Sequence, residues 1–232
     1  MKSEFKKGVL NKITDVKGVL VGHKTVDEGA IHSGVTVIIP TEENVFYNKP
    51  AAACYVLNGY GKSVGLVQIE ELGTLESPIA LTNTLSVGAV MDAVTKHAVR
   101  ESAKLGKRLS SVNTVVCECN DSSINDICAF GINESHVEEA FANTKADFDE
   151  GAVGAGRGMT CHGLKGGIGS ASRVMELDGE EYTVGILLMS NHGLLRDLTV
   201  DGVNIGADIA NGVAECDKGS IIVIMATDLP LT

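Results

Sequence analysis

The stretch of sequence that decides the fold is Asp217-Lys-Gly-Ser-Ile-Ile-Val-Ile-Met-Ala-Thr-Asp228. A serine follows a glycine and opens an apolar, β-branched run, which predicts a buried strand beginning at Ser220. A cut between Gly219 and Ser220 would place a hydroxyl nucleophile and a free α-amine on one residue. An α-amine titrates near pH 8, about two units below lysine, and can accept the hydroxyl proton. The alternative is an ordinary turn before a strand.

Composition favours one domain, residues 1–232, and disfavours polyanionic partners. The 232 residues are 44% hydrophobic, enough to bury a core of ordinary size. With 27 glycines and no tryptophan, the chain is suited to tightly turned backbone rather than to stacking on bases. The net charge of −11 repels phosphate backbones and anionic lipid. We therefore expect neither nucleic acid nor a membrane as a partner.

Cysteine and histidine spacings predict no metal site, and we expect no cofactor. The cysteines lack C-x-x-C spacing, and the histidines lack H-x-x-x-H and H-E-x-x-H spacing. Cys117 and Cys119 stand two apart in an apolar run, which predicts core positions on one strand face. Neither a signal-peptide pattern nor an apolar run of 18 residues occurs, and a reducing cytoplasm is the expected location.

The periodicity predicts a mixed α+β architecture. Asp178-Gly179 predicts a hairpin turn between strands 170–177 and 182–189. Helices are expected over Ser86–Leu105, closed by Gly106, and over 136–145, capped by Ser135. The other predicted strands are 19–21, 35–39, 51–57, 79–82 and 112–117. Because strands outnumber helices without strict alternation, sheets packed against helices are favoured over a doubly wound sheet.

A glycine-rich segment, 151–169, holds eight glycines in nineteen residues. Such a run is expected where backbone turns tightly or approaches another group closely, and it predicts an irregular loop that forms a pocket wall. Gly154, Gly156 and Lys165 suggest a phosphate loop, but the G-x-x-x-x-G-K-[ST] spacing is absent.

Two asparagines are candidates for the chemistry. The amide of Asn191, after the hairpin, could donate to a developing oxyanion, and its alternative is an Asx-turn. Asn120 belongs to the polar segment 118–127, which could form a pocket floor or a hydrogen-bonded loop.

The chain resembles the self-processing aminopeptidases of the DmpA type, the S58 peptidases that include β-aminopeptidases. The matching stretches, which follow the family's order, are Ile13–His23, Asn58–Gly61, Glu70–Glu76, Thr82–Gly88, Asn120–Ile127, Val153–Arg173 and Gly219–Leu231.

This resemblance implies an N-terminal-nucleophile-like αββα sandwich, made as a precursor and cut at Gly219-Ser220. Ser220 matches the nucleophile and Asn191 an oxyanion-binding asparagine. Asn120 lies where some members place a tyrosine that contacts the intermediate. The implied units are an α-subunit, 1–219, and the start of a β-subunit, 220–232. The implied substrates are short peptides, amides or esters, and a homo-oligomer of processed units is expected.

In the family, the polypeptide continues into a second subunit that supplies a serine and a glutamate near the nucleophile's amine. This chain stops at Thr232. A truncated form, a chain completed by another one and a natural fragment are therefore all open. The functional hypotheses are a serine aminopeptidase that acts through an acyl-enzyme, a non-catalytic remnant that serves as a binding or scaffold protein, and an acyltransferase on the same architecture.

Overall fold

The computed structural model describes residues 5–209 and 219–230. The described strands are β1 Leu20–Glu28, β2 Ile31–Ile39, β3 Ile79–Asn83, β4 Val115–Cys119, β5 Thr160–Cys161, β6 Leu164–Lys165, β7 Gly167–Leu177, β8 Glu180–Asn191, β9 Thr199–Val200, β10 Val203–Asn204 and β11 Ser220–Thr227. The α-helices are α1 Leu66–Leu72, α2 Val87–Lys104, α3 Glu134–Ala142 and α4 Gly206–Ile209. None of the described helices is both long and apolar enough to cross a membrane.

Two sheets organise these elements. The first has the order β1-β2-β3-β4, and the second has the order β11-β8-β7. Pairing is antiparallel except between β3 and β4, which run parallel and are connected through α2. A parallel pair needs such a crossover connection. The α+β prediction is therefore confirmed, and the described residues form one β-α-β unit among mostly antiparallel strand pairs.

Alternation along the strands divides the core into two layers. In the first sheet, Val37, Ala80 and Val116 face α2 and α3, where they meet Val90, Val94, Val137 and Phe141. Their neighbours Ile38, Leu81 and Val115 point the opposite way and pack with Ile168, Leu187 and Met189 of the second sheet. Successive strand residues point to opposite faces, so one strand serves both layers. The described order of layers is helix, sheet, sheet.

The hairpin prediction is confirmed. Strands β7 and β8 pair from Gly167↔Ser190 to Leu177↔Glu180, and the turn residues Asp178 and Gly179 both have positive φ, 54° and 84°. Positive φ at both positions is typical of the tight turns that join two antiparallel strands.

Other predicted elements need correction. Residues 51–57 form no strand beyond a bridge from Ala51 to Thr74, because their apolar side chains are largely exposed and lack a partner strand. Helix α3 begins earlier than predicted, and its cap is Asn133, whose Oδ1 accepts from the backbone N–H of His136 at 3.3 Å. The strand opened by Ser220 is only half buried: Ile222 and Ile224 face the core, whereas the outward residues are exposed.

The glycine-rich segment passes between the two sheets. Residues 154–156 form a buried 3-10 turn, and their backbone N–H groups donate to Thr25 Oγ1 at 2.8 Å and Thr36 Oγ1 at 3.1 Å. The ammonium of Lys165 donates to the carbonyls of Gly156, Met159 and Gly166 at 2.7–2.9 Å. These three bonds use all the donors of the ammonium, which disfavours a phosphate-loop interpretation.

Candidate active site

Ser220 begins β11 at the junction of the two sheets. It pairs with Asn191, the last residue of β8. Alternation places Ser220 on the same strand face as Ile222 and Ile224, which pack into the layer between the sheets. The hydroxyl of Ser220 therefore points toward the interior, beside the end of β4, rather than into solvent.

The orientation of the Asn191 side chain is fixed by its hydrogen bonds. Its Oδ1 accepts from the backbone N–H of Thr160 at 3.0 Å, and its Nδ2 donates to the carbonyl of Asn120 at 2.8 Å. An N–H can only donate and a carbonyl can only accept, so the amide has one orientation. The Nδ2 group also lies 3.3 Å from Ser220 Oγ, within donating range.

These contacts bear on the alternative interpretation of Asn191. Asn191 is 7% exposed, and the N–H that donates to it and the carbonyl that accepts from it lie 31 and 71 positions away along the chain, respectively. An Asx-turn bonds instead to backbone two residues on. The structure thus places the amide at the nucleophile candidate, held by two distant segments.

The side chain of Asn120 is directed into its own loop. Its Oδ1 accepts from the N–H and the hydroxyl of Ser122 at 3.0 and 2.6 Å, while its backbone carbonyl faces Asn191. In this structure, Asn120 contributes to the site through its backbone.

The rest of the polar segment 118–127 forms a hydrogen-bonded loop. Buried Asp121 accepts from Ser33 Oγ at 2.7 Å and from Asn125 Nδ2 at 3.0 Å. Burial raises the pKa of the Asp121 carboxyl, and the two hydrogen bonds oppose that rise. Of the two interpretations of this segment, the observed bonds favour a structural anchor behind the site.

Gly219 lies against the backbone of the residue after Asn191. A Cβ added at Gly219 would lie 2.6 Å from His192 Cα and 3.0 Å from the Asn191 carbonyl oxygen. Contacts this short are not compatible with an ordinary side chain, so the close approach of the two strand ends requires glycine here.

Titratable groups beside Ser220 are mostly held neutral. Burial raises the pKa of the Cys119 thiol to about 12, although a hydrogen bond with Ser220 opposes the shift. Burial, followed by the charge of His162, lowers the pKa of His192 below its ordinary value of 6.5. At neutral pH the neighbouring groups are therefore a thiol and a neutral imidazole, and Cys119 is too weakly acidic to compete as a nucleophile.

Sequence patterns did not reveal two features beside this site: the backbone N–H that holds Asn191, and a group of one cysteine and two histidines. The short hairpin of β5 and β6 supplies the N–H that holds Asn191, and it brings Cys161 and His162 next to His192. Residues 161 and 192 are far apart in sequence, and tertiary contacts such as the pairing of β7 with β8 bring their segments together.

The layered sheets are those of the N-terminal-nucleophile hydrolase fold that the resemblance implied. The model of peptidase family S58 matches residues 11–232, and the chain belongs to that family.

Solved structures of similar proteins cover the whole chain. A protein from Pyrococcus horikoshii OT3 is 47% identical with a TM-score of 0.93, and a Burkholderia β-aminopeptidase is 40% identical with a TM-score of 0.90. The L-aminopeptidase D-Ala-esterase/amidase of Ochrobactrum anthropi, described as a variant of this hydrolase fold, is 34% identical with a TM-score of 0.90. The chain covers 67%, 65% and 66% of these three structures, respectively.

Curated relatives also match nearly the whole chain, and the chain again spans only part of each relative. The β-peptidyl aminopeptidases BapA of Sphingosinicella xenopeptidilytica and Sphingosinicella microcystinivorans are each 37% identical over 97% of it. The chain spans 61% and 62% of their lengths.

Proposed function

We propose that this protein is a self-processing serine aminopeptidase that removes N-terminal residues from short peptides, amides or esters. The observation that carries the proposal is the 3.3 Å contact between Asn191 Nδ2 and Ser220 Oγ, directly after Gly219. Hydrolysis of an acyl bond needs a nucleophile, a base and an oxyanion donor. Ser220, once it is an N-terminus, would supply the first two, and Asn191 the third.

The proposed reaction follows from these positions. The neutral α-amine of Ser220 takes the proton of its own hydroxyl while Oγ attacks the substrate carbonyl. Asn191 donates to the negative oxygen of the tetrahedral intermediate, which collapses as the α-ammonium returns its proton to the leaving group and the shortened peptide, amine or alcohol is released. Water then hydrolyses the ester on Ser220. The bonds of Asn191 to Thr160 and Asn120 hold the amide in place beforehand, so little reorganisation accompanies the reaction.

The names of the relatives support the choice of substrate class. They describe a β-peptidyl aminopeptidase and an L-aminopeptidase with D-Ala-esterase and amidase activity. Neither a metal nor a cofactor is needed for the chemistry proposed here.

Assembly and location are part of the proposal. Large apolar side chains are exposed in the segment around the predicted but unformed strand, with Tyr55, Leu57 and Tyr60 each about 85% exposed. We propose that processed units assemble so that these side chains are covered. We also propose a reducing cytoplasm as the location, which is compatible with the free thiols among the described residues.

The function is tested by hydrolysis of β-alanyl and L-alanyl anilides by the whole encoded polypeptide after self-cleavage. We expect release of the free aniline from one or both of these compounds, and loss of that release in Ser220→Ala. A cleaved protein without activity on peptide, amide and ester panels would favour the binding-protein hypothesis. Transfer of an acyl group to an amine at the expense of hydrolysis would favour the acyltransferase.

We expect activity to rise with pH between about 7 and 8. The α-amine has an ordinary pKa of about 7.7–8.0 and serves as a base only after losing its proton, so the rate increases as pH rises through that value. The measurement is kcat/KM against pH, with and without EDTA, which should not abolish activity. If kcat/KM instead rose with a midpoint below pH 6.5, the base would be His192, because the pKa of His192 is lowered from its ordinary value of 6.5.

We expect Gly219→Ala to slow self-cleavage and to destabilise the precursor. The new methyl group would overlap the His192 backbone, and overpacking of this kind costs about 1–3 kcal/mol. For a chain of this size, each kcal/mol lowers the melting temperature by about 2–4 °C. The melting temperature is measured in a Ser220→Ala background, where cleavage does not interfere.

Gly88→Ala is the matched control for this substitution. Gly88 is an exposed residue of α2, and an added Cβ there meets nothing within 4 Å. The control should leave cleavage unchanged and raise stability by about 0.5–1 kcal/mol. Equal effects of the two substitutions would contradict the proposed close approach at Gly219.

A further inference from the structure

One cluster of potential metal ligands lies beside the site and has no part in the proposed chemistry. Among the described residues, Cys161, His162 and His192 each offer one ligand atom, and these three atoms lie within 4.8 Å of one another. All three side chains are partly buried, and Cys161 is a free thiol. Small rotations about the side-chain bonds would bring such a set to common metal distances of about 2.0–2.3 Å.

The orientation of His162 is the second observation that points to a metal. Its Nδ1 lies 2.9 Å from the carbonyl oxygen of Leu194. Because a carbonyl only accepts, Nδ1 carries a proton, which leaves Nε2 as the ring nitrogen available to a metal ion. Histidine ligands of metals typically donate their other ring nitrogen to a backbone carbonyl or carboxylate in this way.

The backbone holds this histidine in an uncommon conformation. His162 has φ of 51°, and its N–H donates to the His192 carbonyl at 2.7 Å. Its ring lies against Gly193, where an added Cβ would be 2.5 Å from Nδ1. Left-handed backbone at a non-glycine residue is unfavourable and persists only where the surroundings enforce it. With the backbone held in this way, the His162 ring packs edge-on against the His192 ring, with 5.5 Å between the ring centroids.

We propose that Cys161, His162 and His192 form a binding site for a zinc-class divalent metal ion. One thiolate and two neutral imidazoles match the donor preferences of Zn²⁺, and three protein ligands leave a fourth position for water. On binding, the Cys161 thiol releases its proton to solvent and the sulfur bonds to the metal.

The site would regulate Ser220 rather than serve its chemistry. The β5–β6 hairpin, which carries Cys161 and His162, also holds Asn191 through the N–H of Thr160. The backbone of Gly219 packs on His192. A bound ion would lock these segments and restrict the adjustment of Asn191 and of the Gly219-Ser220 junction during the reaction. Reversible inhibition by Zn²⁺ follows, and this consequence alone rests on the proposed function.

Metal binding is tested on the whole polypeptide carrying Ser220→Ala, so the result does not depend on catalysis. Zn²⁺ affinity is measured by competition with a chromophoric chelator, and Co²⁺ is used as a spectroscopic probe. We expect one ion per chain and a sulfur-to-cobalt charge-transfer band. Cys161→Ser and His162→Gln should each weaken Zn²⁺ binding by at least about 100-fold and remove or shift that band.

The matched controls are Cys128→Ser and His136→Gln, which remove a cysteine and a histidine outside the cluster. Both should bind Zn²⁺ as the parent does, and melting curves without metal verify that all variants fold. Unchanged affinity in Cys161→Ser, or equal losses in the controls, would overturn the site. In an active protein, Zn²⁺ inhibition relieved by EDTA and reduced in Cys161→Ser is expected. If Zn²⁺ binds without inhibiting hydrolysis, the metal site stands and its regulatory role is refuted.

Discussion

Replacement of Ser220 by alanine should leave the chain intact under conditions in which the parent is cut between Gly219 and Ser220. The methyl group cannot form the ester that an N-to-O acyl shift requires, and loss of a catalytic nucleophile typically costs at least a factor of about 10³ in rate. Denaturing mass spectrometry of the whole encoded polypeptide measures the outcome directly. The parent should yield a fragment that ends at Gly219, and Ser220→Ala should not.

Two further variants make this test specific. Ser190→Ala removes a hydroxyl from the neighbouring strand, where it bonds to the backbone of Gly167 at 3.3 Å, and it should still be cut. Ser220→Thr keeps a hydroxyl and should be cut slowly. The same fragment from Ser220→Ala at the parent rate would remove Ser220 from the reaction, whereas an intact parent would favour the non-catalytic hypothesis for this chain.

Local patterns were sufficient to predict much of the fold. The turn at Asp178-Gly179 and the helix closed by Gly106 depend on residues with positive φ, which few side chains tolerate, and both were found where expected. The error at residues 51–57 has the opposite cause. An apolar run specifies a strand only if a partner strand exists, and partners are set by the tertiary structure.

The half-exposed strand β11 illustrates a similar limit. Its sequence is apolar on both faces, which predicts burial on both sides. In the described residues, the outward side chains Ile221, Val223 and Met225 are 45%, 52% and 65% exposed. The pattern predicted the strand and its first residue correctly. Whether both faces of the strand are buried depends on what packs against the second sheet, which the pattern does not specify.

The site was predictable only in part. Ser220 and Asn191 were singled out by local chemistry and by resemblance, and the structure places them in adjacent strands in contact. The roles of Thr160 and of the Asn120 backbone depend on N–H and carbonyl groups that every residue carries, so sequence gives no signal for them. The cluster of Cys161 with two histidines was missed because metal-spacing rules apply to ligands on one helix or loop.

Removal of the Asn191 amide should lower kcat far more than it changes KM. If Nδ2 donates to the tetrahedral intermediate, its contribution exists mainly in the transition state, and Asn191→Ala should reduce kcat by about a hundredfold or more. The structure adds a second effect. Alanine would leave the Thr160 N–H and the Asn120 carbonyl without their partner, which costs about 1–3 kcal/mol of stability.

Separating these two effects requires a variant that keeps the shape of the side chain and a variant that affects stability alone. Asn191→Asp retains an oxygen to accept from Thr160 but loses the donor that faces Ser220, so kcat should fall as far as in the alanine variant. Asn133→Ala removes the cap of α3, on the far side of the first sheet, and should cost about 1 kcal/mol while kcat stays unchanged. Melting temperature and kcat are measured on each cleaved protein. Near-native kcat in Asn191→Asp, with a lowered melting temperature in Asn191→Ala, would limit Asn191 to a structural role, and the loop of Asn120 would be the next place to seek the oxyanion donor.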